Sequence, residues 1–188
     1  MQKLDTFRTY LDYRGEYLFD SNDVKSYLTL RIQPREDKYY LLQVVDDPQG
    51  KDSVTDITRT TAAGGTTSEH IVETDKDGLK FSAQIAKRYY NLGLRGGLFE
   101  STGGIAVDYY FLNDSLTLSL EAFDFDPDRN AHLKFKADYT PFKHIYISSG
   151  FDDFISDEGK ESFFIGAGIK FLDEDIKTLL SNIPIPKD

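Results

Sequence analysis

The chain has 188 residues, with 32 acidic against 22 basic side chains, a formal charge of −10 and no cysteine. That length fits one domain. The charge disfavours a nucleic-acid partner, and the missing cysteine excludes disulfides, thiolate metal sites and a Cys nucleophile. With 39% apolar and 14% aromatic residues the chain is too rich for a disordered one. No run of about 18 apolar residues could form a membrane helix, although a barrel whose strands are only about 9–11 residues long stays open to it.

The dominant signal is period two. Phe7, Thr9, Leu11, Tyr13, Gly15 and Tyr17 alternate with Arg8, Tyr10, Asp12, Arg14 and Glu16, so this segment reads as a strand with one mostly apolar and one charged face. Asp20-Ser21-Asn22-Asp23 reads as a turn. A second strand sets Ser26, Leu28, Leu30 and Ile32 against Tyr27, Thr29, Arg31 and Gln33, and Pro34-Arg35-Glu36-Asp37 is expected to end it. A third strand runs from Lys38 to Asp47. The segments Ser53 to Thr61 and Glu69 to Thr74 fit either a polar strand pair around Ala62-Ala63-Gly64-Gly65 or a disordered loop.

From Leu79 onward the alternation is clean. Leu94, Val107, Leu118, Phe135, Ile147 and Ile165 fall on apolar faces, and Arg95, Asp108, Glu121, Lys134, Lys136, Asp138 and Lys170 on polar ones. Turn signals recur about every 12 residues. Short strands on short turns predict an all-β antiparallel up-and-down barrel of about 10–12 strands, outer-membrane type, over residues 1–172, closed because closure removes exposed edges. After Phe171, Asp173-Glu174-Asp175 precede Ile176, Leu179 and Leu180 on one helical face, and Pro184 and Pro186 follow. A short amphipathic helix and tail are expected over 173–188.

Two architectures share this pattern. A soluble barrel turns the apolar face inward; a membrane barrel turns it to lipid and encloses the polar face. Gly93, Gly97, Gly150, Gly166 and Gly168 lie on the polar face. Small residues there suit a crowded lumen in which long cationic side chains need room. The expectation is therefore a lumen lined by Arg8, Asp12, Arg14, Arg31, Lys80, Arg95, Asp108, Glu121, Lys134, Lys136, Asp138 and Lys170, with Leu94, Leu118, Phe135, Ile147 and Ile165 facing lipid. The lumen cations fit a salt-bridged interior or contact with anionic lipid. The longer turns, Asp124 to Asn130 and Ser156 to Lys160, fall on one side.

No catalytic constellation is visible. His70, His132 and His144 lack metal-ligand spacing, Ser101 has no local His partner, and no helix follows the Gly-rich segments at Leu94-Arg95-Gly96-Gly97 and Ser101-Thr102-Gly103-Gly104. Asp152-Asp153 and Asp124-Phe125-Asp126 read as solvated turn carboxylates, with a calcium site the less favoured reading. No enzyme activity, metal or cofactor is expected. Met1-Gln2-Lys3-Leu4 leads directly into the strand pattern, so the reading favours a fragment whose targeting signal lies upstream over a cytosolic chain.

The run LKFSAQIAKRYYNLGLRGGLFESTGGIAVDYYFLNDSLTLSLEAFDF (79–125), with YYLLQVVDDPQG, YISSGFDDF and SFFIGAGIKFLDEDIKTLL, resembles the C-terminal region of certain bacterial mammalian-cell-entry (MCE) proteins, the MlaD-like lipid-transport family. The resemblance implies an outer-membrane barrel of a Gram-negative envelope with its termini in the periplasm. It would anchor a periplasmic phospholipid conduit or pass lipid. Its implied partners are outer-membrane lipids, a phospholipid substrate, and an upstream MCE domain with its homo-oligomer. The competing expectations are a soluble lipocalin-like barrel holding a hydrophobic ligand and a structural adhesin or scaffold.

Overall fold

The computed structural model describes residues 8–48, 51–60, 66–75, 78–125, 130–155, 161–175 and 178, with 51–60 and 66–75 described as backbone. Twelve strands follow in chain order: β1 (Arg8–Leu18), β2 (Asp23–Arg35), β3 (Lys38–Asp46), β4 (Lys51–Thr60), β5 (Thr66–Asp75), β6 (Leu79–Tyr89), β7 (Leu92–Phe99), β8 (Thr102–Phe111), β9 (Leu116–Phe123), β10 (His132–Tyr139), β11 (Ile145–Asp152) and β12 (Ser162–Phe171).

Ten of them close into one antiparallel barrel in the order β1-β12-β11-β10-β9-β8-β7-β6-β3-β2. Each strand pairs with its sequence neighbour except at two places. β1 returns to β12, with Tyr13 opposite Ile169, and β3 pairs directly with β6, with Leu42 opposite Ala83. The polar pair β4–β5 therefore leaves the barrel as a separate two-stranded sheet, Lys51 opposite Asp75 and Thr60 opposite Thr66. The sequences KDSVTDITRT and TTSEHIVETD lack the apolar face that the other strands carry.

An even strand count puts the first and last barrel strands at one end. That terminus end also holds the brief connections after Arg35, Tyr89, Phe111 and Tyr139. The opposite end, called here the loop end, carries the β4–β5 hairpin, the β9–β10 and β11–β12 loops, and the turn after Phe99. That turn has only Glu100 and Ser101, both at positive φ (43° and 72°). This is the geometry that suits the right-handed twist of a two-residue hairpin. It is held by two local bonds, the Glu100 amide to Ser82 Oγ at 3.0 Å and the Phe81 amide to Ser101 Oγ at 3.1 Å.

One boundary differs from expectation. Pro34 does not end β2. The strand runs on to Arg35 through a register shift between Ile32 and Arg35, because a bulge is a place where a missing N–H costs no ladder bond. At the C-terminus, Asp173–Asp175 and Thr178 are helical, and Asp175 caps the entry by accepting the Leu172 amide at 2.9 Å. Ile176, Leu179, Leu180, Pro184 and Pro186 lie outside the described residues.

Close packing of neighbouring strands explains one luminal glycine. A Cβ at Gly150 would overlap the Phe135 carbonyl oxygen and meet Lys136 Cα at 3.0 Å, all backbone of β10. Gly150→Ala is therefore expected to lower the urea-unfolding free energy by about 1–3 kcal/mol. Gly96→Ala, whose Cβ meets nothing within 4 Å, should leave it unchanged or slightly raised; equal losses for the two would refute the packing account.

Candidate functional site

The pleat sorts side chains by parity, and closure turns one parity inward. At the loop end the interior is an ion network. Lys25 on β2 is fully buried, and its Nζ lies 3.0 Å from Asp47, 2.9 Å from Glu100 and 3.2 Å from Asp152. Lys80 on β6 shares Asp47 at 2.6 Å. Lys134 on β10 donates to Glu16 of β1 at 2.6 Å and to the Tyr27 hydroxyl at 2.7 Å, spanning the lumen between sequence-distant strands. Arg14 approaches Glu16 at 2.9 Å, and His132 Nε2 lies 2.7 Å from Asp152. Leu18, Val45, Phe99, Phe123 and Phe164, none above 3% exposure, fill the spaces around these charges. Phe99 and Phe123 stack with ring centroids 6.0 Å apart, and Phe123 stacks on the His132 ring at 4.3 Å.

Midway down the lumen Arg95 is the organising cation. It makes a bidentate pair with Asp108, at 2.7 and 2.8 Å, and donates to Glu121 and Gln84, both at 2.8 Å. A guanidinium fork suits this role because its donors are fixed in one plane and match carboxylate geometry. Lys136 meets Asp138 at 3.2 Å, and Asp138 also accepts from Ser148 at 2.6 Å.

Toward the terminus end the side chains part around a cavity of about 710 Å³. Its lining runs from the turn residues Asp37, Tyr90 and Asp114 up to Tyr27, Phe99 and Glu100. The Tyr39 hydroxyl meets Tyr110 at 3.0 Å, and the Tyr146 hydroxyl donates to Asp12 at 2.7 Å. The lining is mixed: ionic side chains and tyrosine hydroxyls share it with tyrosine ring faces, Leu41 and Phe99.

The outward parity is the reverse. Leu28, Leu42, Phe81, Ile85, Leu94, Ile105, Leu120, Phe135, Ile147, Ile165 and Ile169 are all large, apolar and exposed, up to 62% for Ile105. Exposed apolar area on this scale runs around the barrel wall and exceeds the isolated patches of an ordinary soluble surface.

Eleven of the twelve residues expected in the lumen line the cavity, from Arg8 to Lys170, and Lys80 lies above it in the loop-end network. Leu94, Phe135, Ile147 and Ile165 are exposed on the outer wall, and Leu118 is half-buried on the same parity, opposite Tyr109 and Ala137. Sequence reasoning missed Lys25, Asp47 and Glu100. Lys25 continues the polar face of β2 and was legible there; Asp47 and Glu100 sit just past strand ends, where parity gives no guide. Asp152 corrects the solvated-turn reading of Asp152-Asp153: it is the last residue of β11, fully buried, between Lys25 and Lys134. Among the described residues no group of three or more His, Asp or Glu is arranged to hold a metal ion.

A family described as a lipocalin-like domain matches residues 9–178 of this chain. The chain belongs to that family. A protein of Aquifex aeolicus (strain VF5) named "Uncharacterized protein" is 34% identical over 188 residues; the match covers 94% of this chain and 55% of that relative, so the chain spans about half the relative's length. No solved structure matches.

The lipocalin-like match overturns the resemblance to MCE and MlaD-like proteins, and with it the reading of this domain as a module of an MCE-type phospholipid transporter. The strings that carried the resemblance consist of alternating apolar and polar residues with glycines and aromatics. Any antiparallel barrel of this kind repeats that pattern, so it marks an architecture and not a lineage.

Two outcomes follow from the network. Lys25→Met removes the cation shared by three buried carboxylates and should lower the unfolding free energy by about 3–5 kcal/mol. Lys87→Met, which breaks the exposed Lys87–Asp37 pair, should shift the same urea titration far less, because solvent screens that pair. The second outcome concerns acid. Burial pushes the Asp47 carboxyl up, but Lys25 and Lys80 outweigh it and hold the group at about 2, below its ordinary 3.8. Hydrogen bonds from Lys87 and Arg88 likewise hold Asp37 and Asp114 down, at exposed positions where solvent weakens the effect. A depressed carboxyl contributes stability that is complete above the unfolded value and vanishes as pH falls through the folded one. The urea midpoint should therefore drop between pH 4 and pH 2, and less steeply in Asp47→Asn; parallel profiles for the two proteins would contradict the assignment.

Proposed function

We propose that this lipocalin-like barrel takes its hydrophobic partner on the outside: the outer wall meets lipid acyl chains, and the enclosed polar face forms a closed, ion-paired interior. The observation that carries this reading is the inversion of polarity. Lys25, Glu16 and Asp152 are fully buried while Ile105, Ile85, Phe81 and Ile147 are at least half exposed. In water that arrangement exposes apolar area all round and buries charge. In hydrocarbon it leaves each backbone group paired in the closed sheet and each ion away from lipid.

Three further features support it. Strands of 8–13 residues match the length that spans a bilayer when tilted. Aromatic side chains are exposed near both rims, Tyr89, Tyr139 and Phe142 at the terminus end and Tyr17, Phe19 and Phe154 at the loop end, as amphipathic rings are at membrane interfaces. One end has brief turns and both barrel termini, the other has longer segments and the separate β4–β5 hairpin. On this reading the location is the outer membrane of a Gram-negative envelope, with the termini on the periplasmic side and outer-membrane lipids as the partner. Among the described residues the loop-end interior is filled by paired ions and aromatic side chains, and the cavity lies toward the terminus end. Its role is non-catalytic.

A second reading is a water-soluble lipocalin-like carrier of a hydrophobic ligand, which the family description favours. Such a carrier needs an apolar interior, whereas the cavity here is lined by Arg14, Arg31, Arg95, Lys136, Asp108 and Asp138 among others.

One substitution separates the two. Leu120, exposed on the outer wall between Val107 and Phe135, becomes Arg. Against lipid, Leu120→Arg should cost about 2–4 kcal/mol of folding free energy in vesicles. On a water-facing surface the change should stay within about 0.5 kcal/mol. A wild-type protein that stays monomeric in plain buffer, with a neutral Leu120→Arg, would defeat the lipid reading.

A further inference from the structure

Seven cations of the barrel interior and its rim each have a carboxylate close by: Arg14, Lys25, Lys80, Arg88, Arg95, Lys134 and Lys136 lie within 2.6–3.2 Å of Glu16, Glu100, Asp47, Asp114, Asp108, Glu16 and Asp138 respectively. Three others, Arg8, Arg31 and Lys170, have no ion pair among the described residues. They are not scattered. Strand register places them on one arc of the terminus-end mouth, formed by β2, β1 and β12. Arg31 lies opposite Tyr10, Lys170 opposite Asp12, and Arg8 opposite Gln33 at the rim. All three line the cavity.

Arg31 is poised in a particular way. Its guanidinium stacks on Tyr39, 3.8 Å from the ring centroid, and lies 5.5 Å from that of Tyr10. Among the described residues it donates from Nη2 to Gln33 at 3.1 Å, and Nε has no partner there. Stacking fixes the plane of the fork while leaving its other donors unused, the state in which arginine binds oxyanions. The Lys170 ammonium lies 5.4 Å from the centre of the Tyr146 ring, and the Tyr146 hydroxyl is taken by Asp12. Counting Arg8, Arg31 and Lys170 against Asp12 and the rim residue Glu36 leaves a formal charge of +1 (three minus two) on this arc.

We propose that this arc is a binding site for a phosphate group, either of a soluble phosphate ester or of a lipid headgroup reaching into the mouth. An anion matches the excess of positive charge, the Arg31 fork supplies directional donors, and Lys170 supplies a second cation on the same arc. A salt-bridged structural lumen would pair these cations as it pairs the other seven. The site depends only on the lumen geometry, so it stands whether or not the outer wall meets lipid.

The test is calorimetric titration of the purified full chain at neutral pH and constant ionic strength. The probes are inorganic phosphate, glycerol 3-phosphate and dihexanoyl phosphatidic acid below its micelle concentration. The expectation is saturable binding of all three, weakened at least about fivefold by Lys170→Gln and by Arg31→Gln and lost in the double variant. Lys143→Gln, an exposed turn lysine at the same end, should bind like the wild type. A phosphatidic acid at least about tenfold tighter than glycerol 3-phosphate identifies the lipid headgroup as the source; equal affinities identify a soluble ester. Lys170 has no ion pair to lose, so Lys170→Gln decides the question even if Arg31→Gln fails to fold. No saturable binding to the wild type, full affinity in Lys170→Gln, or an equal loss in Lys143→Gln would overturn the proposal. Detergent dependence is not read in this experiment, so its failure leaves the lipid reading untouched.

Discussion

Everything in this barrel rests on the pairing of charges that closure removes from water. When β1 meets β12 the sheet has an inside, and the inside is the polar parity. Lys25 then has no solvent at all, and three carboxylates from β3's end, the β7–β8 turn and β11 converge on it. A buried ion is tolerated only when its partners are in place. Each of those partners comes from a different part of the chain, so the network can form only when the ring is complete. The ions stabilise the closed ring, and the closed ring positions the ions.

The same constraint accounts for local features that look unrelated. Small residues on the polar parity leave room for tyrosine rings, Tyr110 beside Gly93 and Tyr146 beside Gly168, and let strand backbones approach closely, as Gly150 does beside Phe135 and Lys136. The two-residue turn at Glu100 and Ser101 takes positive φ at both residues without a glycine. Its conformation sends the Glu100 carboxylate back onto Lys25, so the backbone cost of about 1–3 kcal/mol for such positions is offset within the network. The β4–β5 hairpin carries no alternating apolar face and is the segment that the barrel wall omits.

Membership in a lipocalin-like family and an inverted polarity are compatible, because a family describes descent and barrel architecture while the choice of solvent is made by the surface. The interior is lined by Arg95, Asp108, Glu121 and their neighbours, which pair with one another. The exterior is made of Leu, Ile and Phe. The partition between them is a property of this chain's own residues.

Much of this was legible in the residues. Period two, the turn spacing and the matched polar and apolar sets predict a closed antiparallel barrel, and the parity of Arg95, Lys134 or Leu94 assigns each to one of two faces. Parity says nothing about residues beyond the strand ends, so Asp47 and Glu100 are not legible from it and Asp152 reads as a turn residue. Nor does it identify a family, since many barrels share one alternation. The sequence by itself determined the fold class and the two sets of side chains, because strand geometry is local and alternates with every residue. The tertiary structure alone decided which set is enclosed, that β3 pairs with β6 past the hairpin, and which cations keep a partner, because those facts depend on how far the sheet curls before its first and last strands meet.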